Sequence, residues 1–214
     1  MRKTIVGEKL VLIGGGGHCR SVLDAAVHMG TFEEIVITDQ LILPEKQIMG
    51  FRVAGDDSLL PQLFQAGFHE AFISVGSIKS TELRNRLYQK VCGIGFKFPN
   101  IVDPSAVVSG DAVLGEGIFI GKRTVINAGV RIEDMAIINT GAVIEHECYV
   151  GKFSHISVSA VVCGGCHIGD SVFIGANATV IQEINIGSNS IIGAGSLVLK
   201  DINPMSVYTG RTQG

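Results

Sequence analysis

From residue 102 onward the apolar positions of this chain obey one rule. An aliphatic residue recurs at every sixth position, from Val102, Val108 and Leu114 through Ile144, Val150 and Ile156 to Ile192 and Val198, seventeen times without an insertion. Four residues after each stands a small or branched residue, as at Ala106, Ala112, Ile118, Thr124 and Val130, and the position directly after the aliphatic is often glycine, as at Gly115, Gly121, Gly151 and Gly169. A helix cannot hold a period of six, and a flat strand would show a period of two. One short strand and one turn per six residues fit a coil of three sides and eighteen residues, the hexapeptide parallel β-helix. Five to six coils at roughly 4.8 Å each predict a prism about 25–30 Å long.

The first 99 residues follow a different pattern. Lys9 to Ile13 is a short apolar run ending in Gly14, Gly15, Gly16 and Gly17, and Val22, Ala25, Ala26 and Met29 then recur at helical spacing. A second run, Ile35 to Ile37, ends at Asp39; helical patterns over about 57–66 and 79–92 flank a third run, Ala71 to Val75. Strands alternating with helices predict a small parallel sheet of Rossmann type. The expected organisation is therefore an α/β Rossmann-like domain over 1–99 followed by a left-handed parallel β-helix over 100–214.

Composition narrows the function. Hydrophobic residues make up 46 % and charged residues 17 %, so a core is easily supplied and disorder is excluded. The net charge of −3 gives no electrostatic case for nucleic acid or an anionic membrane. No apolar stretch approaches a membrane helix, and Met1 to Leu10 lacks the layout of a signal peptide. With five scattered cysteines and no second pair to complete a zinc site, a cytoplasmic protein without a metal is expected. Cys148 and Cys166 fall at the small core position of the repeat and read as packing residues.

Residues eighteen apart stack in one column, which places His146 between Ala128 and Gly164. A histidine among minimal side chains stands beside an open notch that admits a slender thioester arm, with the Gly164 amide free to meet a carbonyl oxygen. Val158, Ala176 and Ala194 form a second smooth column suited to a pantetheine chain. In the first half, a glycine run between a strand and a helix can cradle an anion. A dinucleotide fingerprint starting at Gly14 would need glycine where Cys19 stands, so NAD is poorly supported.

A Rossmann-like start with four glycines and His18, an uninterrupted hexapeptide repeat, the stretch Asn139 to Cys148 and the stretch Phe153 to Val158 together resemble the NeuD family of sugar acyltransferases. Bacterial acetyltransferases acting on nucleotide-linked 4-amino sugars are its nearest members. The resemblance covers nearly the whole chain. It implies that His146 is the general base, that Glu147 assists it, that Asn139 belongs to the same motif and that His155 contacts acetyl-CoA. It also implies that the loop at Gly16, Gly17 and His18, with Asp39 and the turn at Gly76, holds a nucleotide-sugar. The family has Asp where this chain has Thr38, and Arg211 to Gln213 depart from its C-terminal closure, although Val207 to Gly210 fit; Lys200 and Arg211 read as surface charge.

His155 lies half a coil from His146, so the two face different sides of one prism. If they cooperate, the site forms between subunits and a homotrimer is expected. The implied reaction is direct acetyl transfer from acetyl-CoA to the 4-amino group of a UDP-linked 4-amino-4,6-dideoxy sugar, in surface-glycan synthesis. O-acetylation of sialic acid or another sugar hydroxyl is the alternative within the class. A γ-type carbonic anhydrase would need two close histidines, whereas His146, His155 and His167 are spaced nine and twelve apart. A non-catalytic nucleotide-binding trimeric module is the third reading.

Overall fold

The computed structural model describes residues 7–77 and 80–210. Its contacts divide the chain into two compact units, Met1–Gly76 with Glu82–Ile101, and Ser77–Thr81 with Val102–Gly214.

In the first unit, β1 (Glu8–Ile13), β2 (Phe32–Thr38), β3 (Gln47–Ile48), β4 (Phe51–Gly55) and β5 (Glu70–Ile73) form one sheet in the order β3-β4-β2-β1-β5. All its pairings are parallel except β3 with β4. Leu10, Val11, Leu12 and Ile13 are fully buried because β1 is central and covered on both faces. Helices α1 (Gly17–Met29), α2 (Leu60–Gln65) and α3 (Glu82–Ile94) follow β1, β4 and β5. The β3–β4 hairpin was not legible in the sequence. Met49 and Gly50 both take positive φ, the two-residue turn usually signalled by Asn-Gly.

In the second unit, two-residue strands build three parallel sheets in which each strand up to Leu197–Val198 pairs with the third one along the chain, a left-handed β-helix with eighteen-residue coils, and the last strand, Val207–Tyr208, closes on Ile191–Ile192. The first face runs through Val107–Val108, Val125–Ile126, Val143–Ile144, Val161–Val162, Thr179–Val180 and Leu197–Val198. The second includes Arg131–Ile132, Tyr149–Val150 and His167–Ile168; the third includes Phe119–Ile120, Ile137–Ile138, His155–Ile156 and Phe173–Ile174. The aliphatics of the six-residue rule, from Ile120 to Val198, fill one continuous core.

Two devices hold the corners. Every sixth residue from Gly117 to Gly195 takes left-handed φ, and most of these are not glycine: Arg123, Met135, Glu147, Phe153 and Asn177 pay this strain because the coil must turn there. The glycines directly after the aliphatics answer a different need. A methyl on Gly151 would fall 2.6 Å from the backbone nitrogen of Asp170 in the next coil. Inside the prism, polar groups at the small position donate to carbonyls fifteen residues on: Thr124 Oγ1 to Asn139 (3.1 Å), Cys148 Sγ to Cys163 (3.1 Å), Ser154 Oγ to Gly169 (2.8 Å) and Cys166 Sγ to Ile181 (3.0 Å). Cys148 and Cys166 are thus packing residues that also donate.

Candidate active site

His146 and Glu147 occupy the corner between the first and second faces. Gly165 N–H donates to His146 O and Glu147 N–H donates to Ala128 O, which fixes the column Ala128, His146, Gly164. The imidazole lies directly against Gly164: a methyl there would come within 2.5 Å of both Cε1 and Nε2. Glycine at 164 is therefore what lets the ring take this position. Nδ1 of His146 is 3.4 Å from Glu147 Oε2, a long contact between two exposed groups that orients the ring and adds little stability. The opposite nitrogen, Nε2, has no hydrogen-bond partner among the described residues.

The Gly164 amide finds no acceptor among the described residues, and neither do those of Ala176 and Ala194. The contrast with the second-to-third corner is informative. There the amides of Glu116, Lys152 and Asp170 are capped by Asp134 Oδ1, Asp170 Oδ1 and Ser188 Oγ in the following coil. Glycine and alanine in the columns of His146 and of Val158 supply no such cap. Val158 and Ala194 are exposed and Ala176 is half-buried.

Asn139 is not beside His146. It lies at the corner between the third and first faces and pairs with His155. Thr140 N–H donates to Asn139 Oδ1 (2.8 Å), so Nδ2 is the group 3.3 Å from His155 Nε2. Ser77 O, 2.8 Å from Nδ1, can only accept. The imidazole of His155 therefore turns Nδ1 to the Ser77 carbonyl, is buried, and meets Phe173 edge-on. His167 is exposed and stacks on Tyr149 at 4.6 Å, as its column predicts.

The first unit holds a separate pocket of about 280 Å³ at the strand ends, lined by Gly16, Gly17, His18, Asp39 and Gly76 among others. The four glycines serve unlike purposes. Gly14 has φ +102°, and a methyl on Gly15 would collide with Ile42 and Ile48; nothing lies within 4 Å of one on Gly16 or Gly17. The fold thus accounts for the first two, and the last two leave open backbone at the start of α1. Burial alone would raise the Asp39 carboxyl, but the amides of Gly15, Leu41 and Ile42 hold it below the ordinary value. Asp39 therefore braces the glycine loop. Thr38 is buried and donates to Asp57 Oδ1 at 2.9 Å; Thr38 does not line the pocket, but Asp57 does, so the departure from the family pattern reaches the pocket through that carboxyl. Lys200 is exposed, and Arg211 lies outside the described residues.

Comparison with known proteins agrees with this division. Residues 9–91 match the family described as the PglD N-terminal domain; residues 112–146 match the hexapeptide repeat of succinyl-transferase, and residues 165–200 the bacterial transferase hexapeptide. A histidine-to-asparagine variant of perosamine N-acetyltransferase from Caulobacter crescentus, in complex with CoA and GDP-perosamine, is 36 % identical with a TM-score of 0.86, over 94 % of this chain and 93 % of that one. The acetyltransferase domain of PglB from Neisseria gonorrhoeae FA1090, in complex with acetyl coenzyme A, is 32 % identical with a TM-score of 0.88, over 94 % and 95 %. A UDP-3-O-acylglucosamine N-acyltransferase from Leptothrix cholodnii is 45 % identical over 51 residues, and the match spans only 13 % of that protein. On this full-length similarity, the chain belongs to the hexapeptide-repeat sugar N-acetyltransferases with a PglD-type N-terminal domain.

Proposed function

We propose that this protein transfers the acetyl group of acetyl-CoA to the 4-amino group of a nucleotide-linked 4-amino-4,6-dideoxy sugar, in the cytoplasm, for surface-glycan synthesis. The observation that carries the reading is the His146–Gly164 corner, where the imidazole lies against a glycine whose amide has no acceptor among the described residues. The amine lone pair attacks the thioester carbonyl as His146 Nε2 takes its proton, and the Gly164 amide donates to the developing oxyanion. Collapse of the tetrahedral intermediate expels the CoA thiolate, which takes the proton back from the imidazolium. Glu147 orients the ring through Nδ1. No acyl-enzyme is needed because the thioester is already activated.

The nucleotide-sugar is held in the first unit by Gly16, Gly17, His18, Asp39 and Gly76. UDP is the nucleotide that the family resemblance implies, and GDP is the one in the Caulobacter complex. The pantetheine arm follows Ala176 and Ala194, whose uncapped amides offer donors along a smooth column. Asn139, fixed from behind by the saturated His155, borders that column.

The assembly is a homotrimer. The outward residues of the first face, Val107, Val125, Val143, Val161, Thr179 and Leu197, form an almost wholly apolar ladder, and Val107 and Leu197 are exposed. The His146 corner edges this face on one side and the Asn139–Ala176 corner on the other. Closing three such faces around a three-fold axis joins one edge of each subunit to the opposite edge of the next. That juxtaposition completes the site between chains.

The test is product mass with acetyl-CoA and a panel of UDP- and GDP-linked 4-amino sugars, beside free sialic acid. An acetylated amino sugar is the expected product. Acetylation of sialic acid alone would move the reading to O-transfer. Tight nucleotide binding without transfer to any acceptor would contradict it.

A further inference from the structure

We propose that Cys148 is a positioning residue for this reaction: its buried thiol anchors the carbonyl of Cys163 inside the prism and so aims the amide of Gly164 outward, beneath His146. The inference rests on the proposed acetyl transfer, in which that amide meets the thioester oxygen.

Cys163 C=O and Gly164 N–H belong to one peptide unit, and a planar trans peptide points the two groups in opposite directions. Whatever holds the carbonyl therefore sets the direction of the amide. The holder is Cys148 Sγ, 3.1 Å from Cys163 O and itself 1 % exposed.

The same device at two other corners shows where the amide then goes. Ser154 Oγ holds Gly169 O, and the amide of the same peptide, on Asp170, reaches outward to Ser188 Oγ at 3.1 Å. Thr124 Oγ1 holds Asn139 O, and the amide of Thr140 turns to the Asn139 side chain at 2.8 Å. In both, the outward amide has a protein acceptor. At Gly164 none of the described residues accepts it, and the imidazole of His146 lies against the same glycine. The Gln182 amide, whose Ile181 carbonyl Cys166 Sγ holds, likewise has no acceptor among the described residues; what sets Gly164 apart is an uncapped amide on a glycine with an imidazole against it, as a donor for a ligand beside a base requires.

Contact with the Cys166 thiol and then burial push the Cys148 thiol up, so it stays protonated and able to donate at neutral pH. Serine and threonine do the same work at equivalent positions, so a hydroxyl fits there.

The test compares Cys148→Ala, Cys148→Ser and Cys166→Ala in kcat, KM and thermal unfolding. Cys166 is equally buried and makes the same thiol-to-carbonyl bond, but it holds the Ile181 peptide, which no step uses. Loss of orientation at an oxyanion donor predicts a fall in kcat of about tenfold for Cys148→Ala, less than deletion of such a donor costs. KM for the nucleotide-sugar should be unchanged, Cys148→Ser should recover most of the rate, and Cys166→Ala should match Cys148→Ala in unfolding temperature while keeping wild-type kcat. Wild-type kcat in Cys148→Ala, no rescue by serine, or an equal fall in Cys166→Ala would each overturn the proposal. If the alanine variant fails to fold, Cys148→Val fills the space without a donor and is read the same way. Crystal structures of wild type and Cys148→Ala decide the matter without turnover. The 163–164 peptide should rotate in the variant, and a superimposable peptide would overturn the inference. An inactive wild type would instead defeat the proposed function and leave this structural comparison standing.

Discussion

Replacing Gly164 with alanine separates the catalytic use of the His146 corner from its structural use. The added methyl would come within 2.5 Å of His146 Cε1 and Nε2, while ordinary contact begins at 3.4 Å, so the ring must withdraw by nearly 1 Å. The ring is the far end of a side chain 62 % exposed, and it can swing away at little cost. The expected loss of stability is below about 1 kcal/mol, as for a surface adjustment. A base displaced by about 1 Å costs on the order of 10²-fold in rate. Gly151→Ala supplies the control. There the methyl meets backbone, 2.6 Å from Asp170 N and from Gly169 C, and backbone in a stacked coil cannot yield. That variant should lose about 1–3 kcal/mol with kcat of the surviving fold near wild type. The assay pairs thermal unfolding with release of CoA thiol under saturating acetyl-CoA. Full activity in Gly164→Ala, or a stability loss equal to that of Gly151→Ala, would refute the placement of His146 as base.

Three further outcomes follow from other parts of the molecule. Burial and then the neighbouring Glu8 carboxyl push Glu70 up to about 7 from the ordinary 4.5, so its contribution to stability is full below about 4.5 and lost as pH rises through about 7. Glu70→Gln should flatten the fall in unfolding temperature between pH 5 and 8, and an unchanged slope would count against the shift. Asp39→Ala removes the acceptor of the Gly15, Leu41 and Ile42 amides and should weaken nucleotide-sugar binding by about tenfold or more in calorimetry, in line with the loss of a charge-assisted bond. Val143→Arg places a charge on the apolar first face; sedimentation should show monomers that keep their fold but lose transfer, whereas an intact active trimer would contradict the interface.

The β-helix was legible because each coil is three repeats of one rule, and the buried aliphatics fall where the period puts them. The Gly164 column was legible for the same reason, since stacking follows an eighteen-residue interval. What the sequence hid has physical causes. The left-handed corners carry Arg123, Met135 and Phe153 rather than glycine, so composition does not mark them. Asn139 pairs with His155 because the two stand on neighbouring coils at the third face, and Ser77 reaches His155 from a segment that lies among the first unit's residues in sequence. The thiol and hydroxyl anchors span fifteen residues, which is neither the strand nor the coil period, so no periodic reading finds them. Thr38 shows the limit of motif matching: its hydroxyl is bonded to Asp57, which lines the pocket, a partner visible only in three dimensions.

The most direct test of the account is the steady-state rate of CoA release with a nucleotide-linked 4-amino sugar for wild type and His146→Ala. The account predicts turnover in the wild type and a fall of at least about 10²-fold in the variant, the worth of a general base, with the unfolding temperature unchanged. Equal rates in the two proteins, or no turnover by the wild type with any amino sugar, would contradict it.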